Sequence, residues 1–190
     1  ILDDVEIHLM PRGGYAFKKA KPSGATPKRD MVALNTSACK LLLLCNGKNR
    51  AREIIKSMCE IENENSQTFI DGIYAFLEEA ERKGHIKISD KPEPAVILTT
   101  GSFDTFYPVE IALELTTRCN MRCKHCYRDA GYGGEDWDTQ SLKRLLIKFK
   151  SNGLRGVEIT GGEPTLHPDF FEIVDFCSEQ FDLVGILTNG

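Results

Sequence analysis

Three cysteines stand at positions 119, 123 and 126 in the stretch CNMRCKHCY, with His125 before the last of them and Tyr127 after it. Three thiolates on one short loop can hold a cluster of iron and sulfide, or part of a zinc site. A structural zinc needs four protein ligands in a closed tetrahedron. His125 is wedged between Cys123 and Cys126, where binding the same metal as both neighbours would strain the loop. Cys177, the one other cysteine in this half, falls on the apolar face of a predicted helix and reads as core. A [4Fe–4S] cluster normally takes four cysteines, so three leave one iron open to a substrate or cofactor. Zinc, completed by a cysteine from elsewhere, stays as the alternative.

The elements that position this loop alternate strictly. VEIALELT (109–116) is a strand candidate that runs into the cysteines. Asp138 is placed to cap a helix whose Leu142, Leu145, Leu146 and Phe149 share one face, and Gly153 ends it. RGVEIT (155–160) is the next strand and leads into GGEP. Pro168 suits the first turn of another helix, with Phe170, Ile173, Val174, Cys177 and Phe181 along one side. LVGILTNG (183–190) is the third strand. Alternating strands and helices predict a parallel sheet with helices packed outside, and chemistry in such folds sits at the carboxyl ends of the strands. The cysteine loop, GGEP and TNG all fall there.

These motifs resemble those of the radical S-adenosylmethionine enzymes, whose CxxxCxxC loop follows the first barrel strand. GGEP and TNG match that family's second- and third-strand motifs, and the resemblance covers roughly residues 106–190. It implies that Cys119, Cys123 and Cys126 ligate a [4Fe–4S] cluster and that S-adenosylmethionine chelates the open iron. It implies cofactor contacts for His125, Tyr127, Gly161, Gly162, Glu163, Thr188 and Asn189. Gly161 and Gly162 would let the backbone approach the ligand without a Cβ in the way. Glu163 would accept a charge-assisted hydrogen bond from the ligand's ammonium group. His125 lies near the adenine by analogy or simply packs in the loop, and Tyr127 packs on the cluster or lines the cavity. The implied chemistry is reductive: an electron from a donor such as a flavodoxin or ferredoxin, cleavage of the sulfonium, and hydrogen abstraction by a 5′-deoxyadenosyl radical. The family's barrel has about six βα units, so three strands imply a truncated, partial barrel with an open sheet edge.

The first half is a different kind of unit. GGYAFKKA (13–20) and RDMVALN (29–35) read as strands around the turn-rich KPSGATPK. A first helix carries Leu41–Leu44 and stops at Gly47. A second places Ile54, Ile55, Met58 and Ile61 on one face with Asn49 as N-cap. A third carries Phe69, Ile73, Phe76, Leu77 and Ala80 and ends at Gly84. HIKIS (85–89) alternates like a closing strand, and 91–107 reads as a linker in which AVILTTG forms a short strand. The expected architecture is an α+β winged-helix-like domain over 1–90, the linker, then the α/β partial barrel over 108–190. Cys39, Cys45 and Cys59 sit in predicted helices without ligand spacing and read as core.

The stretch LNTSACKLLLLCNGKNRAREII with FLEEAERKGHIKI resembles the leader-peptide recognition domains similar to the pyrroloquinoline-quinone D protein. With the second half, this implies a maturase whose first domain holds the leader of a ribosomally made precursor peptide while the second modifies its core. Other readings are a radical enzyme acting on a small molecule or tetrapyrrole, with the first domain only structural, and a metal-binding winged-helix regulator on DNA. The net charge of −4 and the acidic end of the third helix argue against a nucleic-acid partner. No apolar run spans a bilayer, so no membrane partner is expected. Seven cysteines without a framework spacing point to a reducing cytoplasm rather than a secreted disulfide scaffold.

Overall fold

The computed structural model describes residues 2, 4–18, 30–131 and 133–190. The chain divides into two compact units, Ile1–Phe106 and Tyr107–Gly190.

In the first unit, β1 (Val5–Met10), β2 (Gly13–Lys18) and β3 (Asp30–Leu34) are successive antiparallel neighbours. Then come α1 (Thr36–Leu44), α2 (Ala51–Glu62), α3 (Gln67–Arg82) and finally β4 (Leu98–Gly101). Strand β4 pairs parallel with β1, giving a mixed sheet in the order β3-β2-β1-β4. Val5, Ile7 and Ala16 point from the sheet into a core completed by Leu41, Leu42, Ile54, Met58, Ile73, Leu77 and Ile86.

Several expectations are corrected by this sheet. Strand β1 had no counterpart in the periodicity reading, although Val5 and Ile7 alternate inward. Residues 85–89 form no strand: Ile86 is buried, Ile88 is exposed, and the Ile88 N–H is taken by the Glu81 carboxylate at 2.6 Å instead of a ladder. The strand that joins the sheet is β4, inside the AVILTTG stretch expected to form a short strand within the linker. Asn35 caps α1 by accepting from the Ala38 N–H at 2.8 Å. Asn49 does not cap α2; its amide donates to the Leu44 carbonyl at 3.0 Å and so closes α1. The cap position of α2 belongs to Arg50, whose N–H donates to Glu53 at 2.7 Å, the return bond of a capping box. Ile61 is 47% exposed and leaves the apolar face to Ile54 and Met58. The turn KPSGATPK lies outside the described residues.

The second unit contains β5 (Glu110–Glu114), α4 (Thr139–Ser151), β6 (Gly156–Thr160), α5 (Phe170–Gln180) and β7 (Leu183–Ile186). The three strands are parallel in the order β5-β6-β7. Leu113 and Leu115, Val157 and Ile159, Leu142 and Leu146, and Ile173 and Cys177 form its core. Asp138 caps α4 as expected, accepting from the Ser141 N–H at 2.8 Å, and Gly153 turns the chain at φ +105°. Pro168 lies two residues ahead of α5, while Pro164 opens a single 3₁₀ turn, Pro164–Leu166. A parallel strand cannot return through a tight turn, so each crossover helix is obligatory and each strand delivers its carboxyl end to the same edge.

Because β4 closes the first sheet, a fragment of residues 1–106 should unfold cooperatively, and one cut at residue 90 should melt lower. A loss of only about 1 kcal/mol lowers the midpoint of a domain this size by about 4–8 °C. Equal melting curves by circular dichroism would show that β4 contributes nothing to the unit.

Candidate functional site

Beyond β5 the backbone of Thr116–Arg118, bent at Thr117, is gripped from both sides. On one side the returning limb of the loop lies along it: the Thr117 N–H donates to the Glu135 carbonyl at 3.0 Å, and the Cys119 N–H to Gly131 at 2.7 Å. On the other side the turn after β6 docks, with the Gly162 N–H donating to Thr116 O and the Glu163 N–H to Arg118 O, each at 2.8 Å. A Cβ on Gly161 would press on the Thr116 carbonyl, and one on Gly162 would collide with the Arg118 carbonyl. Gly161 also holds φ +137°, outside the range most side chains tolerate. The close approach that these glycines permit is therefore to the base of the cysteine loop.

Glu163 is buried beneath that contact. Its Oε1 accepts from the Thr165 N–H (3.1 Å), the Thr165 hydroxyl (2.6 Å) and the Thr188 hydroxyl (2.8 Å), and its Oε2 from the Asn189 N–H at 2.8 Å. Burial alone pushes the carboxyl pKa up, but the donors from Asn189, Thr165 and Thr188 outweigh it and hold the group below the usual carboxylate range. The side chain binds the ends of β6 and β7 together. Only Oε2, with a single protein donor, keeps room for a further one.

The cysteines differ in surroundings. Cys119 is buried, Cys126 half-buried and Cys123 exposed. Asp129 adopts a left-handed conformation at φ +48°, curling the chain around the Cys126 sulfur. Backbone N–H groups of Ala130 and Arg128, with a smaller share from Asp129, lower the Cys126 pKa. The Cys119 sulfur accepts from the Met121 N–H at 3.4 Å and from the Asn189 amide at 3.7 Å. Among the described residues, no three His, Cys, Asp or Glu side chains are gathered closely enough to hold a metal ion. What fits a cluster here is the donor chemistry, three thiols on one loop supplied with N–H groups.

By contrast, burial pushes the thiols of Cys39, Cys45 and Cys177 up to about 11. They are core residues, as expected, and unsuited to metal binding because the thiolate is the ligand.

His125 is exposed at the outer turn of the loop. The Tyr127 ring is 80% exposed, and its hydroxyl donates to Glu114 at 2.9 Å, beside the Arg128–Glu114 ion pair at 2.8 Å. Thr188 and Asn189 reach the site through Glu163. Two supporting residues, Arg118 and His167, escaped the sequence reading. Arg118 forks onto Asp136 at 2.7 and 3.1 Å and reaches the Leu166 carbonyl at 2.7 Å, tying three segments. His167 is buried; its Nδ1 accepts from the Asp169 N–H at 3.1 Å, so Nε2 donates to the Trp137 carbonyl at 2.9 Å. The one hint in the sequence is their place near the motifs, Arg118 immediately before CNMRC and His167 three residues after GGEP.

Residues 113–190 match the family model of the Radical SAM superfamily. Over its whole length the chain is 30% identical to the antilisterial bacteriocin subtilosin biosynthesis protein AlbA of Bacillus subtilis, covering 43% of that protein. It is 38% identical over 81 residues to a probable GTP 3′,8-cyclase of Methanopyrus kandleri, 42% of this chain and 26% of the relative. The crystal structure of Streptococcus suis SuiB bound to precursor peptide SuiA aligns with all of this chain and 42% of its own, with a TM-score of 0.50 at 18% identity. At that identity the likeness is one of fold. The chain spans less than half the length of each of these proteins.

Two outcomes follow from the site. In metal-free protein, Cys126 should react with iodoacetamide at pH values below the ordinary thiol pKa of about 8.5. Cys39, Cys45 and Cys177 should stay unlabelled, as mass spectrometry of the peptides would show; equal labelling would contradict the contrast between backbone donors at Cys126 and burial at the other three. Because the folded-state pKa of Glu163 is lowered, its contribution to stability is present above the ordinary carboxylate value of 4.5 and fades as pH falls through the lower folded value. Glu163→Gln should therefore destabilise the unit at neutral pH by about 1–3 kcal/mol. The gap in urea midpoint between variant and parent should narrow below about pH 4.5.

Proposed function

We propose that the chain is part of a radical S-adenosylmethionine enzyme that modifies a ribosomally made precursor peptide held by its leader. The observation that carries this reading is the junction at the carboxyl edge of β5-β6-β7. There the buried sulfur of Cys119 meets the TNG turn through Asn189, whose N–H is held by Glu163 of the GGEP turn. The match of residues 113–190 to the Radical SAM superfamily supports it.

Cys119, Cys123 and Cys126 would hold a [4Fe–4S] cluster, and the remaining iron would take S-adenosylmethionine. Bound there, the pair supplies one-electron reductive cleavage of the sulfonium and a 5′-deoxyadenosyl radical that abstracts hydrogen. The chain's own residues bind and orient. The backbone N–H groups of Ala130 and Arg128 lower the Cys126 pKa and so favour its ligating thiolate form. Gly161 and Gly162 set the GGEP turn against the base of the cysteine loop. Glu163 aligns the ends of β6 and β7, and its Oε2 can receive an ammonium N–H beside the Asn189 donor. Thr188 and Asn189 line the approach to the cluster. His125 and Tyr127, both exposed, would contact the ligand from the rim. A small reductant such as a flavodoxin or ferredoxin would deliver the electron, in the reducing cytoplasm that seven free cysteines suit.

The first unit, winged-helix-like and similar to the pyrroloquinoline-quinone D protein, is the leader-binding part of this reading. Among the described residues β3 pairs only with β2, leaving an edge with Met31 and Ala33 exposed where an extended peptide can add a strand. The likeness to AlbA, named for the biosynthesis of a bacteriocin, runs through both units, whereas that to the probable GTP cyclase covers 42% of the chain. This difference favours a peptide over a small-molecule substrate.

Anaerobic reconstitution of the whole protein should incorporate about four irons, with an EPR signal of the reduced cluster that shifts on adding S-adenosylmethionine. Replacing Cys119, Cys123 and Cys126 by alanine should abolish that signal. Zinc in the loop, or a cluster indifferent to the cofactor, would defeat the enzymatic reading.

A further inference from the structure

Asn189 has a second role available besides contact with a cofactor. Its backbone N–H is held by the buried Glu163 carboxylate at 2.8 Å, which fixes where its side chain starts. The side-chain amide then divides between two acceptors, the Cys119 sulfur at 3.7 Å and Asn120 Oδ1 at 2.9 Å. An amide nitrogen carries two hydrogens and can serve both. The donors at Cys126 are backbone groups of its own loop, and so is the Met121 N–H at Cys119. The bond from Asn189 differs: it crosses from the end of β7 to the first cysteine, and it comes from a side chain.

We infer that Asn189 tunes the reduction potential of the cluster by donating an N–H···S hydrogen bond to Cys119. The inference rests on the cluster assignment above and extends it to a positioning residue acting through a ligand. Reduction adds negative charge that spreads onto the ligating sulfurs. A donor aimed at one of them stabilises the reduced form more than the oxidised form and raises the potential. The chain of contacts Glu163–Asn189–Cys119 thus joins the GGEP turn to the electronic state of the cluster, because anything that displaces Glu163 also displaces the donor.

The test is a potentiometric titration of the reconstituted whole protein without S-adenosylmethionine, following the EPR amplitude of the reduced cluster. Without the cofactor present, a role limited to cofactor contact cannot move the potential. Asn189→Leu keeps the approximate shape and removes the donor. It should retain its iron but shift the one-electron equilibrium about tenfold toward the oxidised form, about 59 mV more negative. Asn189→Ala serves as a second variant if leucine impairs cluster assembly, and the same shift is expected. Asn120→Ala removes the competing acceptor but keeps the bond to sulfur, and should leave the potential where it was. An unmoved potential in the Asn189 variants overturns the inference. So does an equal shift in Asn120→Ala, which would trace the effect to loop geometry. Failure of the parent protein to take up iron is a separate result, recognised by the absent signal, and removes the cluster assignment together with this extension of it.

Discussion

A carboxylate kept charged inside the protein organises the second unit. Glu163 is 1% exposed and survives as an anion because four donors from Thr165, Thr188 and Asn189 replace the water it lost. Burying an ion without such partners would be prohibitive, so those donors cannot be displaced cheaply. Two of them lie at the end of β7 and two on the turn after β6. Their shared acceptor therefore holds two crossover connections in register at the edge where the cysteine loop emerges. The Glu163 N–H, bonded to Arg118 O, carries the same constraint to the loop itself.

The same physics sorts the cysteines. A thiol can become a ligand only where its anion is tolerated. Cys39, Cys45 and Cys177 lie in apolar cores, where burial raises the cost of ionisation. Cys126 is met by backbone N–H groups that favour the anion. Left-handed Asp129 is the local expense of that curl, a conformation side chains adopt uncommonly. Cys126 is thus distinguished from the packing cysteines by the backbone donors around it as well as by its spacing.

The first unit shows how far a closing element can lie from the helices it completes. Strand β4 pairs with β1 in parallel, more than 80 residues away in sequence. The intervening strap is held by Lys87–Glu93 at 2.9 Å and by the Ala95 N–H donating to Asn46 O at 3.0 Å. Placing β4 beside β1 leaves β3 at the opposite edge of the sheet, and the proposed recognition of a peptide depends on that arrangement.

Alternating strand and helix patterns placed the cysteine triad, GGEP and TNG together, because they bring every strand end of a parallel sheet to one edge; the cofactor roles of GGEP and TNG came from the family resemblance. Helical periodicity likewise located α2, α3, α4 and α5, whose apolar stripes are local properties of the sequence. Other features depended on partners distant in the chain. Nothing in HIKIS reveals that Glu81 intercepts the Ile88 N–H, nor in LTTG that β1 offers a free edge. The glycines of GGEP were expected to make room for a ligand; the structure spends that room on the Thr116–Arg118 backbone. Arg118 and His167 look ordinary in sequence because their roles consist of carbonyls supplied by other loops. Local propensity is written residue by residue, whereas the satisfaction of a buried polar group is decided only when the chain has folded around it.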